Sequence, residues 1–194
     1  MFKFLYPFIF TLIFYSTILS QEPNTMKSST ESWYFYFGFG YSKMFYPSDI
    51  QETVDELLEL EDVSHLPLTW EMFAFYLHLA PKTIGGIIFT GAGDRYDRSE
   101  RGGIQINQYT FGGSIIHYTG TIFGTGLFLR TDLGLASKGE DEFGAEENGF
   151  GILVGSGWSF DLGGTRLLFN GNYTYRLFKS GAYHTLTVSI GGLF

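Results

Sequence analysis

The sequence predicts an all-β fold, an eight-stranded antiparallel up-and-down transmembrane β-barrel with a short acidic helix in its first long loop. Three observations carry that expectation. From Trp33 onward the chain breaks into eight runs in which apolar side chains alternate with small or polar ones, the period of a strand with two unlike faces. In the later runs the second face is mainly glycine. Composition agrees, because 19% of the 194 residues are aromatic and 26 are glycine, while only 16% are charged, a mixture unlike that of an ordinary water-facing domain.

The amino end is read separately. Met1–Lys3 is a short positive region, residues 4–19 (FLYPFIFTLIFYSTIL) are apolar, and SQEPNT then turns polar. The apolar stretch is short for a spanning helix and no basic cluster follows it. It therefore predicts an export signal over 1–20, cut after Ser20, with a flexible lead-in over 21–31 and the barrel over 32–194. Mean hydropathy is +0.05, which excludes a bundle of apolar helices. The formal net charge is −8, and a chain so acidic lacks the basic face that nucleic-acid phosphates require. With no cysteine, a disulfide scaffold, a thiol nucleophile and a lipid-anchored Cys are all excluded.

The first run, WYFYFGFGY, places Trp33, Phe35, Phe37 and Phe39 on one face and Tyr34, Tyr36, Gly38 and Gly40 on the other. The second (68–80) turns through PKT into the third (84–96), and these two alternate less cleanly. The fourth (106–118) leads through a short turn near Gly120 into the fifth, FGTGLFLRTDLGLAS. There Phe123, Thr125, Leu127, Leu129, Leu133 and Leu135 share a face opposite Gly124, Gly126, Phe128, Arg130, Asp132, Gly134 and Ala136. In the sixth (149–162), Phe150, Ile152, Val154, Trp158 and Phe160 oppose Gly149, Gly151, Leu153, Gly155, Gly157 and Asp161. The seventh (165–178) and eighth (TLTVSIGGLF) complete the set. A water-soluble barrel would cover its outer face with Lys, Glu and Thr. Glycine suits a crowded interior, so the apolar face is assigned to lipid. Connections after runs two, four and six read as short, those after one and three as longer, and the one after five as acidic. That alternation puts the short turns in the periplasm.

The export signal, the eight runs and the terminal Phe194, preceded by Ile190, Val188 and Leu186, together resemble a small outer-membrane β-barrel of the OmpA membrane-domain or OmpX type. The resemblance implies a bacterial outer-membrane location, outer-membrane lipid as solvent and a monomer without cofactor. It also implies Phe194 as the signal that barrel-assembly machinery reads.

Candidate site residues follow from the inward parity. Arg130, Asp132, Asp161, Arg166, Asn170, Asn172 and Arg176 form a predicted polar plug of the lumen, with Asp161 and Arg166 paired across the Gly163–Gly164 turn. The competing reading is an ion path, or a narrow conduit for small apolar molecules. In the first loop Ile50, Val54, Leu57 and Leu58 fall at helical spacing, with Ser48 or Asp49 as amino-terminal cap. Around them Asp49, Glu52, Asp55, Glu56, Glu59, Glu61 and Asp62 occur without a Lys or Arg. Glu140, Asp141, Glu142, Glu146 and Glu147 make a second acidic loop. Such a surface suits divalent cations or a basic partner, although the ordered calcium-loop pattern is missing. A lipid A-modifying enzyme would need a base beside a hydroxyl at the rim. His65, His78, His117 and His184 stand in no local His-x-Ser arrangement, so the sequence predicts no catalytic residue and no metal ligand.

Overall fold

The computed structural model describes residues 32–98, 102–139 and 147–194. The predicted signal peptide, the lead-in and Glu140, Asp141 and Glu142 lie outside the described residues. Eight strands follow in order: β1 (Trp33–Phe45), β2 (Val63–Ala80), β3 (Thr83–Arg98), β4 (Gly102–Tyr118), β5 (Gly126–Gly139), β6 (Glu147–Asp161), β7 (Arg166–Phe178) and β8 (Gly181–Leu193). Each pairs antiparallel with its sequence neighbour, and β8 returns to β1 to close the barrel. Phe35 and Phe194 exchange both backbone hydrogen bonds, at 2.9 and 2.8 Å, at the seam. The short acidic helix α1 (Ser48–Leu58) lies between β1 and β2. We call the end that carries α1 the mouth and the opposite end the floor.

The alternation resolves into an apolar outside and a filled inside. Every strand exposes large apolar side chains outward, among them Phe37, Leu68, Ile87, Phe111, Leu135, Val154, Phe169 and Val188, the last 72% exposed. Leaving such a chain in water forgoes roughly 1.5–3 kcal/mol of burial, so a wall made of them is built for hydrocarbon. Aromatic pairs stack along it, Trp33 on Phe75 at 5.4 Å and Phe160 edge-on to Phe169 at 5.9 Å. Inside, the glycines make room for large neighbours. A Cβ on Gly191 would lie 2.4 Å from the Tyr36 hydroxyl, and one on Gly157 would lie 2.5 Å from the Phe128 ring.

The irregular second run has a local cause. The register of β2 shifts between Trp70 and Phe73, a bulge that swaps the parity of the strand. Outward residues are the even-numbered Leu66 and Leu68 before it, and the odd-numbered Phe73, Phe75, Leu77 and Leu79 after it.

Several boundaries differ from the sequence reading. β3 and β4 run on together to Arg98 and Gly102, so the connection after the third strand is short rather than long. The β4–β5 connection is longer than expected, because β5 begins at Gly126. Phe123 is not on the lipid face. Positive φ at Gly124 (77°) and Gly126 (85°) breaks the strand period, and Phe123 folds under the barrel against Tyr34, His78 and Tyr118. Helix α1 is not capped by Ser48 or Asp49. The Pro47 carbonyl accepts the amides of Ile50 and Gln51, and Gln51 Oε1 accepts the Tyr46 amide at 3.1 Å.

This topology generates a first prediction. A glutamate-specific protease added to intact cells should cut between Glu52 and Glu61, while trypsin should leave Lys82 at the floor uncut. Cleavage at Lys82 from outside would invert the orientation.

Candidate functional site in the lumen and outer mouth

The inward side chains of five strands join into one polar chain, held by hydrogen bonds and one cation–π contact. Arg130 and Asp132 are two apart on β5, and strand geometry points both into the lumen. Arg130 Nη2 donates to Asp132 Oδ2 at 2.7 Å, and its Nε donates to both carboxylate oxygens at 3.1 Å. Asp132 Oδ1 also accepts the Ser114 hydroxyl at 2.5 Å, and Ser114 in turn meets Tyr76 Oη at 2.8 Å. On the other side the Arg130 guanidinium lies over the Tyr36 ring, 5.8 Å from its centroid, and Asn170 Nδ2 donates to Tyr36 Oη at 3.1 Å. Arg130 and Asp132 are each 2% exposed. Such a pair is sustained by good geometry and by these extra bonds, because each desolvated charge alone costs several kcal/mol.

Of the other predicted plug residues, Asn170, Asn172 and Arg176 are buried inward. Asp161 and Arg166 are not a pair, although they sit opposite each other in the β6–β7 register. Asp161 is exposed, and its Oδ1 accepts the Gly163 amide at 2.8 Å within the turn. Local capture by the turn outcompetes the cross-strand ion pair. Arg166 instead enters the floor, with its guanidinium 5.1 Å from the Tyr34 ring and 4.9 Å from the Phe123 ring.

Apolar clusters flank the polar layer. Toward the floor lie Tyr34, Ile84, Ile116, Tyr118, Phe123 and Phe128; toward the mouth lie Met44, Tyr46, Val54, Tyr96, Phe178 and Tyr183, with Ile50 of α1 packed against them. Val54 is the buried residue of α1, while Asp49, Glu52, Asp55, Glu56 and Glu59 remain exposed. Glu147 belongs to β6 rather than to the acidic loop. It pairs with Lys138 Nζ at 3.3 Å and accepts the Ser180 amide at 2.6 Å.

Sequence reasoning missed one mouth cluster. His65 lies on β2, ahead of the predicted second run, and its Nε2 is 3.0 Å from Asp94 Oδ1. The ring stacks parallel on Tyr96, at 4.6 Å. Tyr46 and Tyr96 donate to Asp94 Oδ2 at 2.5 and 3.1 Å. A histidine and a carboxylate therefore converge at the outer rim, but the hydroxyls they meet are phenols, and no Ser or Thr bonds to His65 among the described residues. The signal was present as Asp94 at an inward position of run three.

No described family and no curated sequence matches the chain. It resembles solved structures at low identity. Ail, the attachment invasion locus protein of Yersinia pestis, in complex with the heparin analogue sucrose octasulfate, aligns with TM-score 0.47 and 12% identity over 84% of this chain and 100% of that one. Neisserial surface protein A aligns with TM-score 0.48 and 14% identity over 83% and 96%. The amino-terminal β-barrel domain of Pseudomonas aeruginosa OprF gives 0.43 and 11% over 84% and 98%. The closed eight-stranded ring and the apolar outer wall of the chain itself define the class, a small transmembrane β-barrel.

Two predictions follow from the site. Arg130→Gln and Asp132→Asn should each lower barrel melting in detergent, by about 3–5 kcal/mol for a truly buried partner left alone. The double variant should lose less than the sum, read as a double-mutant cycle on the heat-modifiable gel shift. The same cycle on Asp161→Asn and Arg166→Gln should be additive. The second concerns pH. Burial, and then the Asp94 carboxylate, push the Tyr46 phenol well above its ordinary value. Its contribution is thus complete below about pH 10, the unfolded tyrosine value, and is lost as pH rises through the higher folded one. Tyr46→Phe should flatten the alkaline fall in stability, and an unchanged alkaline limb would remove Tyr46 from the account.

Proposed function

We propose that this chain is a non-enzymatic integral barrel of the bacterial outer membrane, an envelope structural or surface-interaction protein whose acidic outer surface receives a basic partner. The observation that carries this reading is the helical lid. Ile50 and Val54 bind α1 to the mouth, and the same amphipathic geometry turns Glu52, Asp55, Glu56 and Glu59 outward. Between Met44 and Pro81 the sequence contains no Lys or Arg to neutralise them. A basic partner is favoured over a specific cation site because the acids of the first loop lack the ordered spacing of a calcium loop.

The closed lumen supports a plug rather than a pore or a conduit for small apolar molecules. Apolar side chains fill both ends, and a polar layer joined by hydrogen bonds and a cation–π contact lies between them. The non-enzymatic reading is supported by the Asp94 cluster, where the carboxylate binds His65 and two phenols with no aliphatic hydroxyl held by the imidazole. Assembly by the barrel machinery through Phe194, in a monomeric state, belongs to the same proposal. Its support is the seam, where the Phe194 backbone pairs with Phe35.

The test is binding of a lysine-rich peptide to cells that display the protein. Binding should be strong at low salt and fall at about 0.15 M, where charges are screened beyond about 8 Å. It should be lost in the E52K/E56K/E59K variant. Equal binding by that variant would reject the acidic lid as the contact surface. In planar bilayers the purified barrel should show no steady conductance, and regular unitary steps would favour the pore.

A further inference from the structure

Among the described residues, one fully buried lumen cation has only neutral hydrogen-bond partners. Arg176 is 2% exposed. Its Nε donates to Thr110 Oγ1 at 2.9 Å, and its Nη1 donates to Gln108 Oε1 at 3.4 Å and to Thr185 Oγ1 at 3.3 Å. All three acceptors are neutral. Two other buried cations are treated differently, since Arg130 has Asp132 and Lys138 has Glu147, while the partly buried Arg166 rests on the Tyr34 and Phe123 rings at the floor. The remaining buried carboxylate, Asp94, already accepts Tyr46, Tyr96 and His65 at the mouth. Neutral acceptors satisfy N–H groups without cancelling the charge, and an uncompensated charge in a dry interior is among the most costly features a fold can hold.

Arg176 also lines a cavity of about 10 Å³, shared with Asn172, Thr90, Thr174, Thr185 and Thr187. That is space for one particle of about the size of a water molecule. Its lining supplies N–H and O–H donors and no carboxylate, the chemistry that holds an anion.

We infer that this cavity is a halide site, in which one chloride-sized monatomic anion rests against the Arg176 guanidinium and the surrounding threonine hydroxyls as the lumen's counter-ion. The inference is independent of the acidic lid and of any surface partner. It assigns the inward threonines of β3, β7 and β8 a shared role that their strand propensity alone does not explain.

The test uses the full barrel refolded and crystallised in sodium bromide, with anomalous scattering to locate the ion. The expected result is one bromide peak inside the barrel within hydrogen-bonding distance of the Arg176 guanidinium. A cavity holding only water under these conditions overturns the proposal. R176Q, prepared in the same way, should lose the peak, and a peak retained without the guanidinium would equally overturn it. Because replacing Arg176 puts assembly itself at risk, the map of the unsubstituted protein decides the question.

Discussion

In hydrocarbon no strand edge can be left unpaired, and the return of β8 to β1 is the contact on which the remaining structure depends. Each orphaned backbone group would cost several kcal/mol where water is absent. The seam runs from Tyr36 opposite Leu193 to Phe45 opposite His184, and the Phe35–Phe194 bonds extend it at the floor. Closing the ring forces one face of every strand into a narrow lumen and the other into lipid. The sequence meets both demands at once, with Tyr36 stacked over Gly191 inside the seam and Phe39 and Val188 outside it.

Closure also explains why the lumen is polar in its middle. An eight-stranded ring has just enough interior for side chains, so whatever faces inward must pack and satisfy its neighbours. The Tyr76–Ser114–Asp132–Arg130–Tyr36–Asn170 chain links β2, β4, β5, β1 and β7 across the barrel. Removing one member leaves a neighbour unpaired, which ties the strands into a single cooperative unit. The apolar clusters at each end keep water from that layer, and α1 completes the outer one. The acidic surface and the closure of the lumen thus share one helix, whose Val54 faces inward while Glu52 and Glu56 face out.

The strand period was legible because lipid and lumen impose opposite demands on alternate residues, and the inward placement of Arg130, Asp132, Asn170, Asn172 and Arg176 came with it. Which inward groups meet was not legible. Contacts such as Arg176 with Thr110, 66 residues apart, depend on the stagger of the whole ring. The misassigned residues are those where a local event interrupts the period. Asp161 is held by its own turn, Phe123 is released from its strand by two left-handed glycines, and β2 changes parity at a bulge. His65 falls outside the predicted second run (68–80) because β2 and β3 pair beyond the apolar belt, as far as Val63 and Arg98.

The central claim is an apolar wall around a sealed lumen, and single nitroxide labels along β8 in a lipid bilayer test it most directly. The chain has no native cysteine, so labels can be placed one at a time from 185 to 190. Oxygen, which partitions into lipid, and a water-soluble nickel chelate report the surroundings of each label. The account predicts high oxygen and low nickel access at Leu186, Val188 and Ile190, with low access of both at Thr185, Thr187 and Ser189. High nickel access at the threonines would show a water-filled lumen, and the opposite phase would turn the apolar face inward; either result would contradict the account.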